Sequence, residues 1–225
     1  MTDPGLRIRE YGAPQLTEVV VLAARRSLVA SLALVTLAAL PLGAAAQDAS
    51  GPWSLVVRGT LSGTSYESAP AGYKLYSGIA IEVGVRRELA DLFALELALR
   101  TESREVTGPA GPNDALGGLE VVALTPTFQW RPRGGSGAAF QPYLGVGGAF
   151  SAVWEKSGAL DSADLSPQLD PALQLGLDFE VSPRVALNLD ARWHTLGWTI
   201  DDYLTPSPTV EVDPLVLGLG ARVVF

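Results

Sequence analysis

The stretch Val210-Glu-Val-Asp-Pro-Leu-Val-Leu-Gly-Leu-Gly-Ala-Arg-Val-Val-Phe225 sets the strongest constraint on the fold. Val223, Ala221, Leu219, Leu217 and Leu215 fall on one face of a strand, and Arg222, Gly220 and Gly218 on the other. Side chains on a strand alternate sides, so one face is oily and the other small or charged. A strand of this kind ending on an aromatic residue, Phe225, fits the closing strand of an outer-membrane β-barrel, with Phe225 as its assembly signal.

Seven further segments repeat the pattern, each long enough for the roughly nine to eleven residues of a tilted membrane strand. Their oily rows include Trp53, Leu55, Val57 and Leu61, then Ile79, Ile81, Val83 and Val85, then Phe93, Leu95, Leu97 and Leu99. Val122, Leu124, Phe128 and Trp130 form the fourth row, and Leu144, Val146, Phe150 and Trp154 the fifth. Leu173, Leu175, Leu177 and Phe179 form the sixth, and Val185, Leu187, Leu189, Ala191 and Trp193 the seventh. The prediction is therefore an all-β, eight-stranded antiparallel transmembrane barrel, in which the even count pairs first strand with last and leaves no edge. The connections Arg87–Asp91, Arg131–Ala138 and Val181–Pro183 are short to moderate, whereas Gly63–Lys74, Glu105–Gly118, Glu155–Leu169 and Asp201–Thr209 are longer. Short periplasmic turns and long outer loops are the expected asymmetry. A three-residue third turn would set Glu180 opposite Arg184 inside the barrel. A soluble lipocalin-like barrel shows the same alternation with polarity reversed. The aromatic end, the glycines on the polar face, Trp53, Trp130, Trp154 and Trp193 near strand ends, and the loop asymmetry argue against it.

Ahead of these strands, Arg25-Arg26 precedes the apolar run from Leu28 to Leu40 and then Pro41-Leu-Gly-Ala-Ala-Ala-Gln47. This is the tripartite order of a secretory signal, with the Ala44-x-Ala46 pattern predicting cleavage after Ala46. Residues 1–46 are expected to be leader and signal peptide, and 47–225 the barrel. The run is shorter than the ~20 residues of a helical span, which disfavours a membrane anchor. The polar stretch before it is long, and Met1 is the one methionine of the chain, so translation starting near Val19 to Val21 is an alternative. A twin-arginine signal fits poorly with a barrel, which must cross unfolded. There are no cysteines, so neither disulfides nor thiolate metal sites are available. A net charge of −8 and a single histidine point away from nucleic acid.

Particular stretches carry a family resemblance: Leu124-Thr-Pro-Thr-Phe-Gln-Trp130, Gln141-Pro-Tyr-Leu-Gly-Val-Gly-Gly148, Leu175-Gly-Leu-Asp178 and Val212-Asp-Pro-Leu-Val216, followed by Phe225. In this order and spacing the chain resembles the outer-membrane protein W family over essentially the whole region after the signal. The resemblance implies an eight-stranded barrel in a Gram-negative outer membrane, a narrow hydrophobic channel and passage of small apolar compounds. The chain departs from the family in having Val223-Val224 where Tyr-Arg often precedes the final Phe. The partners expected are outer-membrane lipid and lipopolysaccharide, the barrel assembly machinery through the C-terminal strand, and small hydrophobic solutes; no cofactor or metal is expected.

On the predicted inner face stand Arg58, Arg86, Arg100, Arg184, Arg192 and Arg222 against Glu82, Glu96, Glu102, Asp178, Glu180 and Asp190. An eight-stranded barrel is only just wide enough for side chains to fill. Balanced charges in that space read either as a plug of salt bridges or as a selective ion path, while a wide conduit is unexpected. The resemblance also implies lateral escape into the bilayer where the wall is weakened; Pro126, in mid-strand, gives no ladder hydrogen bond and is the candidate weak point, or else a plain bend. His194 is the one residue for nucleophilic catalysis to use, and Asp190 on the same strand is about 13 Å away, beyond direct contact. His194 therefore reads as a lumen residue, and catalysis is not expected. Asp114, Glu155, Asp161, Asp164, Asp201 and Asp202 make an acidic outer rim, which leaves an adhesive or structural role through the loops as the alternative to transport.

Overall fold

The computed structural model describes residues 53–63, 66–68, 73–75, 78–107, 115–132, 139–158, 161, 165–194, 196–199, 209–212 and 215–225. The signal segment 1–46 lies outside the described residues, as do Asp114, Asp164, Asp201 and Asp202 of the acidic rim.

Twelve strands are described: β1 (Trp53–Gly63), β2 (Tyr66–Ser68), β3 (Tyr73–Leu75), β4 (Gly78–Ala90), β5 (Phe93–Thr107), β6 (Ala115–Trp130), β7 (Phe140–Lys156), β8 (Gln168–Ser182), β9 (Val185–His194), β10 (Leu196–Thr199), β11 (Thr209–Val212) and β12 (Leu215–Val224). Eight of them close into one antiparallel ring in the order β5-β4-β1-β12-β9-β8-β7-β6, with β6 returning to β5. The seam is made by β1 and β12, where Leu55 faces Val223 and Leu61 faces Leu217. It ends in the bond from the amide of Phe225 to the carbonyl of Trp53, at 2.9 Å. Closure leaves no open edge, the condition for spanning hydrocarbon with strands.

Sidedness follows the alternation. Leu219 is 63% exposed and Val146 59%, while Arg58 is 1% exposed and Glu96 fully buried. The outer surface is thus a continuous apolar band and the interior is polar, which excludes the lipocalin-like arrangement. At the end holding both termini of the barrel, Phe93 stacks on Phe128 at 5.3 Å, and Phe140 meets Phe179 at a tilt, 4.9 Å between ring centres. There Arg87 also lies over the Trp53 ring at 5.3 Å. Trp154 and Trp193 stand exposed toward the opposite end, so aromatic residues mark both margins of the band.

Two connections are tighter than the sequence reading expects. β4 runs to Ala90 and turns through Asp91 and Leu92 alone, with a bulge between Glu88 and Ala90. The third turn is Pro183-Arg184, with Ser182 opposite Val185 and Glu180 opposite Ala186. Proline presets the backbone for the second position of a tight turn, and the Ser182 hydroxyl accepts the amides of Arg184 and Val185 at 3.4 and 3.2 Å. The expected pairing of Glu180 with Arg184 is therefore corrected: Arg184 sits in the turn, exposed, and does not line the lumen. On the other side, the connection after β1 folds into the β2–β3 hairpin, which extends the sheet from the outer end of β5, and the connection after β9 carries the β10–β11 pair.

Candidate functional site

The interior divides into three levels along the barrel axis, counted from the short-turn end. At the lowest, Asp178 of β8 takes Arg86 of β4 at 2.6 Å, Arg131 at 3.0 Å and Arg222 of β12 at 3.1 Å. Its other oxygen accepts Asn188 Nδ2 at 2.5 Å. Arg131 also pairs with Glu88 at 2.6 Å and bonds to Gln141, whose amide donates to Glu180 at 2.7 Å. Arg222 comes within 3.8 Å of Glu180.

The middle level is centred on Glu96 of β5. Arg58 donates to both of its oxygens, at 2.8 and 3.1 Å, Arg86 Nε at 3.0 Å, Arg192 at 2.7 Å and Gln129 Nε2 at 3.1 Å. Glu82 bridges Arg58 and Arg192, at 2.6 Å to each. Asp190 accepts the Tyr143 hydroxyl at 2.7 Å and Gln174 at 2.6 Å, and pairs with Arg192 at 2.9 Å. The Arg86 guanidinium rests 4.9 Å from the centre of the Tyr143 ring. That ring needs Gly176 opposite it, since a Cβ there would lie 2.1 Å from Tyr143 Cζ. Through Arg58, Glu82, Glu96, Gln129, Tyr143, Asp178, Asp190 and Arg222, all eight wall strands contribute to these two levels. Three guanidinium groups on one carboxylate, each with a second anion, form a network whose members compensate one another's burial.

The upper level is sparser. Glu102 pairs with Arg100 at 3.5 Å and with Arg104 at 2.9 Å, and accepts the Ser62 hydroxyl. Arg100 reaches across to His194 Nε2 at 3.3 Å. Around them the inner wall is small or apolar: Ala80, Ala123, Ala149, Ala172, Val121 and Val216 are all buried.

Pro126 faces outward, opposite Leu97 of β5. Between β6 and β7 the ladder pairs Leu124 with Phe150 and resumes with Thr127 opposite Gly147; Thr125 and Pro126 are unpaired on that side. The Pro126 carbonyl points toward β7, since a Cβ on Gly147 would sit 1.9 Å from its oxygen. A residue's N–H and C=O share a side in an antiparallel ladder, so the bond Pro126 cannot give is the one β7 lacks. Gly147 lies on the inward row, yet it is exposed, unlike its row neighbours Tyr143, Gly145, Ala149 and Ser151.

Of the residues singled out from sequence, Arg58, Glu82, Arg86, Glu96, Asp178, Glu180, Asp190, Arg192 and Arg222 stand in the two lower levels, and Arg100, Glu102 and His194 in the upper one; Arg184 is outside. The reading missed Arg104, left between the third strand and the connection starting at Glu105, and Arg131, assigned to a connection. Each is the next inward position of its row, after Arg100 and Glu102 on β5 and after Thr127 and Gln129 on β6, and that parity is the signal that finds them.

A closed antiparallel barrel with an apolar outside and a charge-filled inside is a barrel of the outer-membrane class. The family described as outer membrane protein beta-barrel domain matches residues 30–222, and the chain belongs to it, as an outer-membrane protein W-like barrel. An uncharacterized outer-membrane protein, y4mB of Sinorhizobium fredii, is 30% identical over 186 residues, 77% of this chain and 80% of that protein. Outer membrane protein AlkL of Ectopseudomonas oleovorans is 38% identical over 88 residues, 37% of this chain; the match spans 38% of AlkL's length. The structure of OprG from Pseudomonas aeruginosa superposes with a TM-score of 0.65 at 18% identity, covering 78% of this chain and 96% of that one. The E. coli outer membrane protein W gives 0.51 at 16% identity, covering 78% and 98%.

Proposed function

We propose that the barrel passes small hydrophobic molecules passively across the outer leaflet, taking them in at the loop end and releasing them sideways into the membrane between β6 and β7. The observation that carries this is the ladder break at Pro126 beside the exposed Gly147, at the upper margin of the Glu96 network. Below that point the axis is filled by paired ions, an environment that rejects an apolar solute and leaves no water column for an ion. Above it the charges thin to Arg100, Glu102 and Arg104, and small and apolar side chains line much of the inner wall. A missing ladder bond is worth about 0.5–1.5 kcal/mol, which softens the β6–β7 seam at this place. The outer-membrane protein W resemblance carries the same implication. No step of this passage uses a cofactor or catalysis.

The export signal cleaved after Ala46, recognition of the Phe225 strand by the assembly machinery, and contact of the outer rim with lipopolysaccharide belong to the same proposal. Uptake of a small apolar solute into proteoliposomes tests it. Wild type should exceed protein-free vesicles, and Pro126→Val, which restores a donor to the ladder, should fall toward them. Equal rates for wild type and Pro126→Val remove Pro126 from the mechanism. Binding of cells by wild type but not by loop-deleted variants, with no uptake, would support the adhesive role instead.

A further inference from the structure

The upper level of the lumen holds buried donors with nothing to bind. Arg104 lies with a side-chain exposure of 0%, and its two terminal nitrogens have no hydrogen-bond partner. His194 receives the Arg100 guanidinium on Nε2. An arginine nitrogen only donates, so Nε2 is the acceptor and the proton is on Nδ1. Nδ1 is likewise buried without a partner. The nearby carboxylate is Glu102, whose Oε1 takes Arg104 and the Ser62 hydroxyl and whose Oε2, without a hydrogen bond, lies 3.5 Å from Arg100. Asp170 on β8, the other inward-row carboxylate of this half among the described residues, has an interaction of its own. Two guanidinium groups thus share one carboxylate here, whereas each arginine of the middle level touches at least two. Buried donors left in this state favour an incoming anion.

The surroundings say what kind of anion. Arg104, Glu102 and Arg100 on β5 are in register with Leu119, Val121 and Ala123 on β6, whose side chains are buried on the same inner face. That apolar row leads down β6 to the ladder break at Pro126, which lies three residues or roughly 10 Å beyond Ala123. A basic head site beside an oily track matches a molecule with an acid at one end and a hydrocarbon chain at the other.

We propose that the loop-side half of the lumen is a docking site for apolar carboxylic acids. The head takes the open N–H groups of Arg104 and His194, and the chain lies along Leu119, Val121 and Ala123 toward Pro126. This rests on the lateral-passage reading for its place in transport, and it names the solute class of that path. The discrimination is against neutral molecules of the same shape, which leave the buried donors unpaired.

Equilibrium dialysis of radiolabelled octanoate against the barrel in phospholipid nanodiscs, with empty nanodiscs subtracted, measures the docking without transport. Saturable binding is expected, weakened about tenfold or more by Arg104→Gln, the scale of losing a charge-assisted bond. Glu102→Gln should tighten it, because it removes the competing carboxylate, and a gain of this kind does not arise from misfolding. Arg87→Gln, at the short-turn end of the barrel, should leave it unchanged, and retained heat-modifiable gel migration reports that each variant is folded. Methyl octanoate, acetate and inorganic phosphate serve as competitors and should all displace octanoate poorly. Absence of saturable binding, or equal binding by wild type and Arg104→Gln, overturns the proposal. So does equal competition by methyl octanoate, which removes the head, or by acetate or phosphate, which removes the chain. Octanoate docking with uptake of neither octanoate nor neutral apolar solutes would sink the lateral passage and leave the docking site standing.

Discussion

Replacing Glu96 by Gln is the most searching perturbation of the lumen. The side chain keeps its shape, but it loses the charge that gathers Arg58, Arg86 and Arg192, and one oxygen becomes a donor facing donors. Removing one partner from a buried ionic network costs about 3–5 kcal/mol. Each arginine here keeps another carboxylate, Glu82 for Arg58 and Arg192 and Asp178 for Arg86, all at 2.6 Å. No guanidinium is stranded, so the loss belongs at the lower end, about 3 kcal/mol. Glu88→Gln supplies the comparison: Glu88 has a side-chain exposure of 24%, and its partner Arg131 retains Asp178 at 3.0 Å. That change should cost less than about 1 kcal/mol. Equilibrium unfolding in urea from lipid vesicles, followed by tryptophan fluorescence, reads both, and a 3 kcal/mol loss moves the midpoint by about 1–3 M at ordinary m-values. If Glu96→Gln and Glu88→Gln are alike, the lumen is wet and screened, and the closed axis fails with it.

Three further outcomes follow from the same geometry. Tyr143→Phe removes the donor to Asp190 and the acceptor for Asn188, and should lower stability by about 1–3 kcal/mol in the same urea assay. Gly176→Ala forces the Tyr143 ring off its seat and should cost about 1–3 kcal/mol, while Gly59→Ala, whose added carbon meets only the Leu219 carbonyl at 3.9 Å, should be close to neutral. In planar bilayers the wild-type barrel should add no steady ion conductance above the protein-free baseline, because each ion at the middle level is already held by a neighbour; open-pore conductance would contradict the plug.

The wall was legible in the sequence because lipid allows no ambiguity: a strand with hydrocarbon on one side must keep its apolar row unbroken, and the eight rows from Trp53 to Val223 do. The inward rows follow by parity, which is why Arg58, Glu82 and Glu96 were placeable. Partners were not. Arg58 meets Glu96 and Asp190 across the lumen, and such contacts depend on how the ring closes and on no fixed sequence spacing. Arg184 was misplaced because parity says nothing about whether a strand has already ended, and Pro183 ends it. Arg104 and Arg131 were missed for the converse reason, since charged residues near a turn look like loop when a closed barrel in fact carries β5 to Thr107. Pro126 stood out as a missing donor, but the neighbour it fails, β7 and not β5, required the register.

The lateral opening is tested most directly by closing it reversibly. The chain has no cysteine, so a pair introduced at Thr125 and Ala149, on facing inward positions of the unpaired stretch between β6 and β7, can be joined by oxidation and released by reductant. Uptake of an apolar solute into proteoliposomes should fall to the protein-free rate when the pair is oxidised and return when it is reduced, while each single-cysteine variant stays at the wild-type rate under both conditions. Undiminished uptake by the cross-linked barrel would mean that solutes leave by another way.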